Sequence, residues 1–132
     1  MSGAPGVRVS GIGIDAVDLP RFRRVLERRP TIVERVFTPA ELAYAETSAD
    51  PAPHLAARFA AKEAVLKALG VGIGAVGWRE MEVVRADGGA PSLSLTGRAA
   101  ELGDERGVTR WHLSLSHTGQ VAVASVVAEA LG

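Results

Sequence analysis

Charged side chains within a largely apolar segment are the first candidates for chemistry. Residues 58–70 read RFAAKEAVLKALG, and Glu63 and Lys67 stand four positions apart among alanines and leucines. That spacing places both side chains on one face of a helix. The pair is open to two interpretations, an ordinary ion pair on a solvated face or a pair of charges presented to a ligand. Lys62 falls in the apolar stripe of the same helix, where an ammonium needs a partner or a path to water.

An acidic residue closes a glycine-spaced apolar segment near the start of the chain. Asp15 ends the sequence GIGID. By itself it would be read as a turn former or a helix cap. If it met Glu63 in space, the two carboxylates would suit Mg²⁺, which favours one or two carboxylates together with water and substrate phosphates. Spacing along the chain leaves both interpretations open.

One of the three histidines stands between two apolar segments. His117 lies in SLSHTG, where it is either a simple turn residue or a neutral imidazole that accepts a proton or bonds a phosphate. Ser116 and Thr118 would add hydroxyl donors. A Ser-His-Asp hydrolase is disfavoured because the G-x-S-x-G motif is missing. The loop LGVGIG at residues 69–74 lacks the Gly-Lys-Ser/Thr of a P-loop and is a weak phosphate signal by itself.

Composition limits the class of protein. The chain has 132 residues, of which 47% are apolar and 23% charged, so we expect one folded domain over residues 1–132. The net charge of zero disfavours nucleic acid as the main partner. The absence of cysteine excludes disulfides, thiolate metal sites and cysteine nucleophiles. Because no segment reads as a signal peptide or a membrane span, we expect a soluble, cytoplasmic protein without membrane contact.

The elements that must position these residues alternate between strand and helix patterns. Strands are predicted at residues 7–14, 81–85, 92–95, 111–116 and 121–127. Helices are predicted at residues 19–29, from residue 39 through Leu42 and Tyr44, from residue 54 to a cap at Gly70, and at 97–107. TPAE at residues 38–41 predicts a capping box, Asp50 to Pro53 a break, and Asp87-Gly88-Gly89 a hairpin turn. This order indicates a mixed α+β domain.

Four segments together resemble the holo-acyl carrier protein synthases, the small 4′-phosphopantetheinyl transferases. They are GIGIDAVDLPRF, FTPAELAYA, RFAAKEAVLKALGVGIG and LSLSHTGQVAVA, in family order and spacing over nearly the whole chain. The resemblance implies an α+β domain with an antiparallel sheet packed on a long central helix. It also implies transfer of the phosphopantetheine arm of coenzyme A to a serine of an apo acyl carrier protein, for fatty acid or polyketide biosynthesis. Adenosine 3′,5′-bisphosphate would be released, and Mg²⁺ would be required.

The resemblance also implies roles for individual residues. Asp15 and Glu63 are expected to hold Mg²⁺ and, with Lys67 at the pyrophosphate, to form the catalytic set. Charge builds on the phosphate oxygens during transfer, so a metal and a lysine suit the reaction. Arg21 and Arg24 on the first helix are expected to contact the carrier protein. The positions expected to bind coenzyme A, with the histidine near its nucleotide phosphates, are Arg58, Lys67, Gly70, Ser116, His117 and Thr118.

The chain departs from the family pattern at two positions. Relatives often have Gly-Lys-Pro or Gly-Arg-Pro after the first hairpin strand, whereas this chain has Gly-Ala90-Pro. The missing basic side chain puts a cofactor-phosphate contact or a structural ion pair in doubt, and Arg79 or Arg85 are candidate replacements. Ala16 replaces a larger apolar residue, which we interpret as a packing variation.

Assembly and catalysis each have an alternative. The resemblance implies a homotrimer with active sites between subunits, and the apolar residues on nearly every side of the helix ending at Gly70, with residues 121–131, predict surface for a neighbour. The alternative is a monomer that wraps this helix itself. The rival function is a non-catalytic module that binds coenzyme A or the carrier. A mass increase of an apo carrier separates transfer from binding.

Overall fold

A three-stranded sheet and a central helix determine where the candidate residues lie. The computed structural model describes residues 6–85 and 88–132. Its elements are β1 (Val7–Asp18), α1 (Leu19–Arg28), α2 (Ile32–Val36), α3 (Pro39–Glu46), α4 (Ala52–Leu69), a 3₁₀ turn (Trp78–Glu80), β2 (Met81–Arg85), β3 (Pro91–Leu95), α5 (Gly97–Glu105), β4 (Val108–His117) and β5 (Val121–Leu131). One sheet has the order β1-β5-β4, and β2 pairs with β3 in a second. All these pairs are antiparallel, so the predicted α+β domain with an antiparallel sheet on a central helix is confirmed.

Helix α4 lies directly against β1 because both surfaces are nearly without side chains. Gly11 and Gly13 face the helix, and a Cβ atom on either would collide with the carbonyl oxygen of Ala68 or Ala64. Replacement of either glycine would therefore force the strand and the helix apart. The glycine spacing of GIGID thus creates the close approach, and the alanines of α4 receive a strand of the same chain rather than a ligand.

Lys62 pairs with a glutamate from α3 inside the core. Its Nζ donates to Glu41 Oε1 at 2.8 Å, and both side chains are fully buried. The same ammonium donates to the carbonyl oxygens of Trp78 and Met81. Glu41 also completes the predicted capping box with Thr38, which is confirmed. This network answers the question that the position of Lys62 raised, and it fixes α4 against α3 and β2.

Several boundaries differ from the sequence prediction. Strand β1 continues past Asp15 to Asp18 because its pairing with β5 continues to Val121. Helix α4 begins at Ala52, so the break predicted through Pro53 is wrong; proline is tolerated in the first turn of a helix. The short α2 was not predicted, since five residues are too few to show a helical period. Strand pairing of the β2–β3 hairpin is confirmed, while Asp87 of its turn lies outside the described residues.

The exposed apolar surface lies on β1 rather than on α4. Most of α4 is buried within its own chain, so the prediction that this helix offers apolar surface to a neighbour is wrong. On β1, Val7, Val9, Ile12 and Ile14 are 61–68% exposed. No helix in the described ranges is both long enough and apolar enough to span a membrane.

Candidate functional site

Close packing of β1 on α4 brings Asp15, Glu63 and Lys67 together, and we call these three residues the carboxylate cluster. Asp15 follows Gly11 and Gly13 at alternate positions of β1, so it lies on the same strand face, toward α4. The Nζ of Lys67 donates to Asp15 Oδ1 at 3.2 Å and to the carbonyl oxygen of Ile14 at 2.8 Å. Lys67 is therefore tied to the strand, and the interpretation as a simple surface pair within the helix is insufficient.

The electrostatics of the carboxylate cluster suit a hard cation. Burial and the nearby charge of Asp15 raise the pKa of the Glu63 carboxyl, and the ammonium of Lys67 opposes this shift. Mg²⁺ needs only one or two protein carboxylates when phosphates and water complete its coordination. A pair of carboxylates that repel each other is therefore suited to bind it. Within the described ranges no group of three or more metal-ligating side chains occurs, so the site would offer a metal only this pair.

An apolar groove of about 430 Å³ opens beside the carboxylate cluster. Asp15 and Glu63 line one part of it, together with Arg21 from α1. The remaining walls come from α1, α2, α4 and the segment after α2, and include Phe22, Val25, Leu26, Ile32, Val36, Phe37 and Phe59. The groove connects the charged residues with the surface that carries the first arginine of α1.

The arginines of α1 differ in their availability. Arg23 forms two hydrogen bonds with Asp50, the shorter joining Nη2 to Oδ2 at 2.6 Å. Arg21 and Arg24 are exposed, and neither forms an ion pair within the described part of the chain. The two positions expected to contact a carrier protein are thus accessible, whereas their neighbour is engaged by its own chain.

A second group of residues surrounds Arg58 and His117, and we call Tyr44, His54, Arg58, Arg85 and His117 the basic cluster. Arg58 Cζ lies 4.4 Å from the ring centroid of Tyr44, and Arg85 Cζ lies 5.7 Å from the same ring. The imidazole of His54 stands edge-on to Tyr44 at 5.6 Å and to His117 at 6.1 Å between centroids. Two arginines and one histidine therefore surround the ring of Tyr44, and the second histidine lies against the first, which is an arrangement suited to a phosphate.

Other predicted contacts are not brought into this group. His117 is the last residue of β4 rather than a turn residue, and it shares the helix-facing side of the sheet with Leu115. Ser116 therefore lies on the opposite face. The Oγ1 of Thr118 accepts hydrogen bonds from the backbone N–H groups of Gln120 and Val121, so it holds the β4–β5 turn. Gly70 caps α4 in a left-handed conformation with φ of 73° and is exposed.

The two clusters lie on opposite sides of α4. His54 and Glu63 are nine positions apart, which corresponds to about 180° of rotation and about 13.5 Å of rise along a helix. His117 joins the His54 side and not the carboxylates. One chain therefore presents a carboxylate cluster and a basic cluster that do not face each other across a single cleft.

Sequence reasoning missed two members of the basic cluster, His54 and Tyr44, and the core partner of Lys62, Glu41. His54 and Arg58 share a helix face at positions i and i+4, and this was the one available signal for His54. Tyr44 was placed on a helix but given no role, and Glu41 was assigned only to a cap. Their positions depend on contacts between α3 and α4, which the local sequence pattern does not contain.

Comparison with known proteins adds independent information about the family. The model of the 4′-phosphopantetheinyl transferase superfamily matches residues 11–126. A holo-[acyl-carrier-protein] synthase of Clavibacter michiganensis is 51% identical over 121 residues, covering 92% of this chain and 96% of that protein. The protein of the same name from Geotalea daltonii is 50% identical over 123 residues, covering 92% and 98%.

Solved structures show the same relationship. The holo-[acyl-carrier-protein] synthase of Neisseria meningitidis aligns with a TM-score of 0.83 and 36% identity, over 92% of this chain and 98% of that one. The Bacillus anthracis holo-(acyl-carrier-protein) synthase in complex with CoA (3′,5′-ADP) aligns with a TM-score of 0.76 and 36% identity, over 92% and 97%. The described fold is thus shared with proteins of this one class.

Proposed function

The chain belongs to the 4′-phosphopantetheinyl transferase superfamily, and we propose that its carboxylate cluster is the place where it transfers phosphopantetheine from coenzyme A to an apo acyl carrier protein. The enzyme is a holo-[acyl-carrier-protein] synthase. The observation that carries the site assignment is the convergence of Asp15, Glu63 and Lys67 beside a groove at the β1–α4 contact. We further propose that residues 1–132 act as one transferase domain; the cytoplasmic location stays a prediction.

In the proposed reaction, the serine hydroxyl of the carrier attacks the phosphorus that bears the pantetheine arm and forms a new phosphorus–oxygen bond. The bond from that phosphorus to the bridging oxygen breaks, adenosine 3′,5′-bisphosphate leaves with the electron pair, and the serine proton passes to water. Lys67 would stabilise the charge that develops on the phosphate oxygens, since its side chain is 54% exposed and is held by strand β1. Asp15 and Glu63 would hold Mg²⁺, which when bound supplies further charge stabilisation. Because His117 lies with the basic cluster, we assign it to coenzyme A binding rather than to proton removal.

Carrier docking is proposed for the first helix. Arg21 lines the groove beside Asp15 and Glu63, and Arg24 lies one turn further along the same helix. Acidic carriers would meet two exposed guanidinium groups at the mouth of the site, and this attraction should weaken with salt. Because Arg23 is engaged by Asp50, we assign the docking role to its exposed neighbours Arg21 and Arg24.

We propose a homotrimer in which each site is shared between two subunits. The support is the exposed apolar face of β1, where Ile12 is 68% exposed, together with the placement of the two clusters on opposite sides of α4. A neighbouring chain would bring its basic cluster to the carboxylate cluster of the first. The apolar side chains of β1 would then be buried between subunits instead of facing water.

The site assignment is tested by the mass of an apo carrier incubated with coenzyme A and Mg²⁺. Asp15→Asn and Glu63→Gln should each reduce transfer by at least about a hundredfold, the scale of a lost electrostatic contact. The exposed Glu46→Gln is the control and should match the wild type. Chelator should stop the native enzyme. Full transfer in excess chelator would exclude the metal role, and full transfer by both variants would exclude the site.

The shared site is tested by co-expressing two defective chains, one with Asp15→Asn and one with His117→Ala. Random assembly leaves about a quarter of the sites with an intact carboxylate cluster and an intact histidine from different chains. Activity at low coenzyme A should therefore exceed that of either variant alone. Light scattering at the assay concentration gives the oligomeric state. A fully active monomer, or mixed assemblies without regained activity, would refute the shared site.

A further inference from the structure

The buried guanidinium of Arg58 lacks the partner that such a group normally has. Arg58 is 2% exposed, and its Nε has no hydrogen-bond partner within the described part of the chain. Its Nη1 donates over 3.3 Å to the backbone carbonyl of His54. Buried arginines are ordinarily satisfied by carboxylates or several acceptors, because an unpaired buried charge is costly. An anionic ligand would supply the acceptor that this donor lacks.

The carboxylates closest to the basic cluster do not neutralise it. Glu41 and Asp50 act electrostatically on Arg58 and His54, respectively. Glu41 is already paired with Lys62 at 2.8 Å, and Asp50 with Arg23 at 2.6 Å. Within residues 6–85 and 88–132, neither Arg58 nor Arg85 forms an ion pair with a carboxylate. A phosphomonoester, with a charge of about −1.5 to −2 at pH 7, supplies the acceptors and the charge that these arginines lack.

His54 is placed to sense such a ligand. It faces Arg58 on its own helix, Asp50 just before that helix, Tyr44 on α3, Arg85 on β2 and His117 on β4. Burial, followed by the charges of Arg58, His117 and Arg85, lowers the pKa of His54, and only Asp50 raises it. In the ligand-free protein the imidazole is therefore held toward its neutral form. An anion bound among these cations would raise the pKa of His54 and favour its protonated form.

We propose that His54 is a further phosphate contact in the basic cluster and that it takes up a proton when the phosphate on the nucleotide end of coenzyme A binds there. The inference rests on the proposed function and adds His54 and Arg85 to the expected coenzyme A contacts. Arg85 supplies near Arg58 a cation that Ala90 cannot provide. Affinity for coenzyme A should then fall with rising pH, about tenfold for each unit by which binding raises the pKa of His54.

Histidine NMR tests the proton uptake directly, because the chain contains three histidines. The resonances of His54, His112 and His117 are assigned with single His→Gln variants and titrated with pH, with and without adenosine 3′,5′-bisphosphate. His112 lies on the other face of the sheet beside Glu129 and serves as the internal reference. We expect the pKa of His54 to rise by about one unit or more in the complex and that of His112 to stay constant. Adenosine, which has no phosphate, should leave His54 unchanged.

Kinetics give a second measurement with two variants. His54→Gln and His54→Phe both remove the proton, and the phenyl ring keeps the aromatic contact with Tyr44. Both should raise KM for coenzyme A by about tenfold at pH 6 and match the wild type near pH 8.5, with kcat unchanged. An unshifted His54 in a protein that binds the bisphosphate and transfers normally would overturn this inference and leave the proposed function standing. A wild type that neither binds the bisphosphate nor modifies an apo carrier would overturn both.

Discussion

Replacing Lys62 with methionine separates the residues that hold the fold from those that perform the chemistry. The ammonium of Lys62 is fully buried and donates to Glu41 Oε1 at 2.8 Å and to two backbone carbonyl oxygens. Lys62→Met leaves the buried Glu41 carboxylate without its counter-ion, a change that typically costs about 3–5 kcal/mol. Glu41 keeps backbone donors from Thr38 and Val83, each at 2.9 Å, which favours the lower end of this range.

Urea unfolding gives the measurement, since the free energy of unfolding follows from the midpoint when the slope is unchanged. A loss of about 3 kcal/mol is a large part of the about 5–15 kcal/mol that stabilises a typical domain. Lys67→Met is the matched control on the same helix. Its ion pair with Asp15 is 54% exposed on the lysine side, so its stability cost should stay within about 1 kcal/mol.

The two variants should also differ in catalysis. Lys62→Met should keep its kcat per folded molecule, whereas Lys67→Met should lose transfer while remaining folded. Adding Glu41→Gln to Lys62→Met removes the orphaned charge and should recover part of the lost stability, which a double-mutant cycle quantifies. If Lys62→Met has the same urea midpoint as the wild type, the buried ion pair does not stabilise the fold, and this prediction is wrong.

Three further predictions concern the strand, the carboxylates and the docking helix. Gly13→Ala should cost about 1–3 kcal/mol and reduce transfer, because its Cβ would strike a carbonyl of α4; Gly119→Ala, with open space around it, is the control, and equal urea midpoints would contradict the close contact. Glu63→Gln should stabilise the metal-free protein at pH 7. The pKa of Glu63 is raised in the folded state, so the ionised carboxylate destabilises the fold above that pKa, and the neutral amide does not. This gain in stability should vanish below the unfolded pKa of about 4.3, and urea unfolding at pH 7 and below that value measures it. Arg21→Glu should raise KM for the carrier and not for coenzyme A, with a smaller effect at high salt; Arg23→Gln, whose guanidinium already pairs with Asp50, is the control, and equal damage to both substrates would exclude docking.

The sequence predicted the elements better than the distances between them. GIGID and the alanine-rich helix were both recognised, and their contact explains how Asp15 comes to Lys67. The partner of Lys62 was not predicted because Glu41 lies 21 positions away, in a helix whose local pattern already explained it as a cap. Periodicity identifies a face that needs a partner, but it does not identify the residue that arrives there.

The basic cluster shows the same limit more strongly. Its five residues come from α3, α4, β2 and β4, and their meeting around Tyr44 and His54 depends on how these elements pack. Ser116 illustrates a different limit. In a strand, adjacent residues face opposite sides of the sheet, so Ser116 does not join His117 in the basic cluster, and its contact with coenzyme A stays a prediction.

The four charged residues of α4 divide the helix into two sides with different tasks. Arg58 and Lys62 lie within about 40° of each other, and Glu63 and Lys67 form a second pair within about 40°, centred about 140° around the helix from the first. The first pair faces α3 and the proposed nucleotide contacts, and the second faces β1 and the proposed phosphoryl transfer. Substitutions on the first side should therefore act on stability or on affinity for coenzyme A, and those on the second on turnover. Because the helix connects the two sides within one chain and keeps them apart, the proposed site would be completed by a second chain that brings its basic cluster to the carboxylate cluster. This is the physical reason to expect catalysis at a junction between subunits.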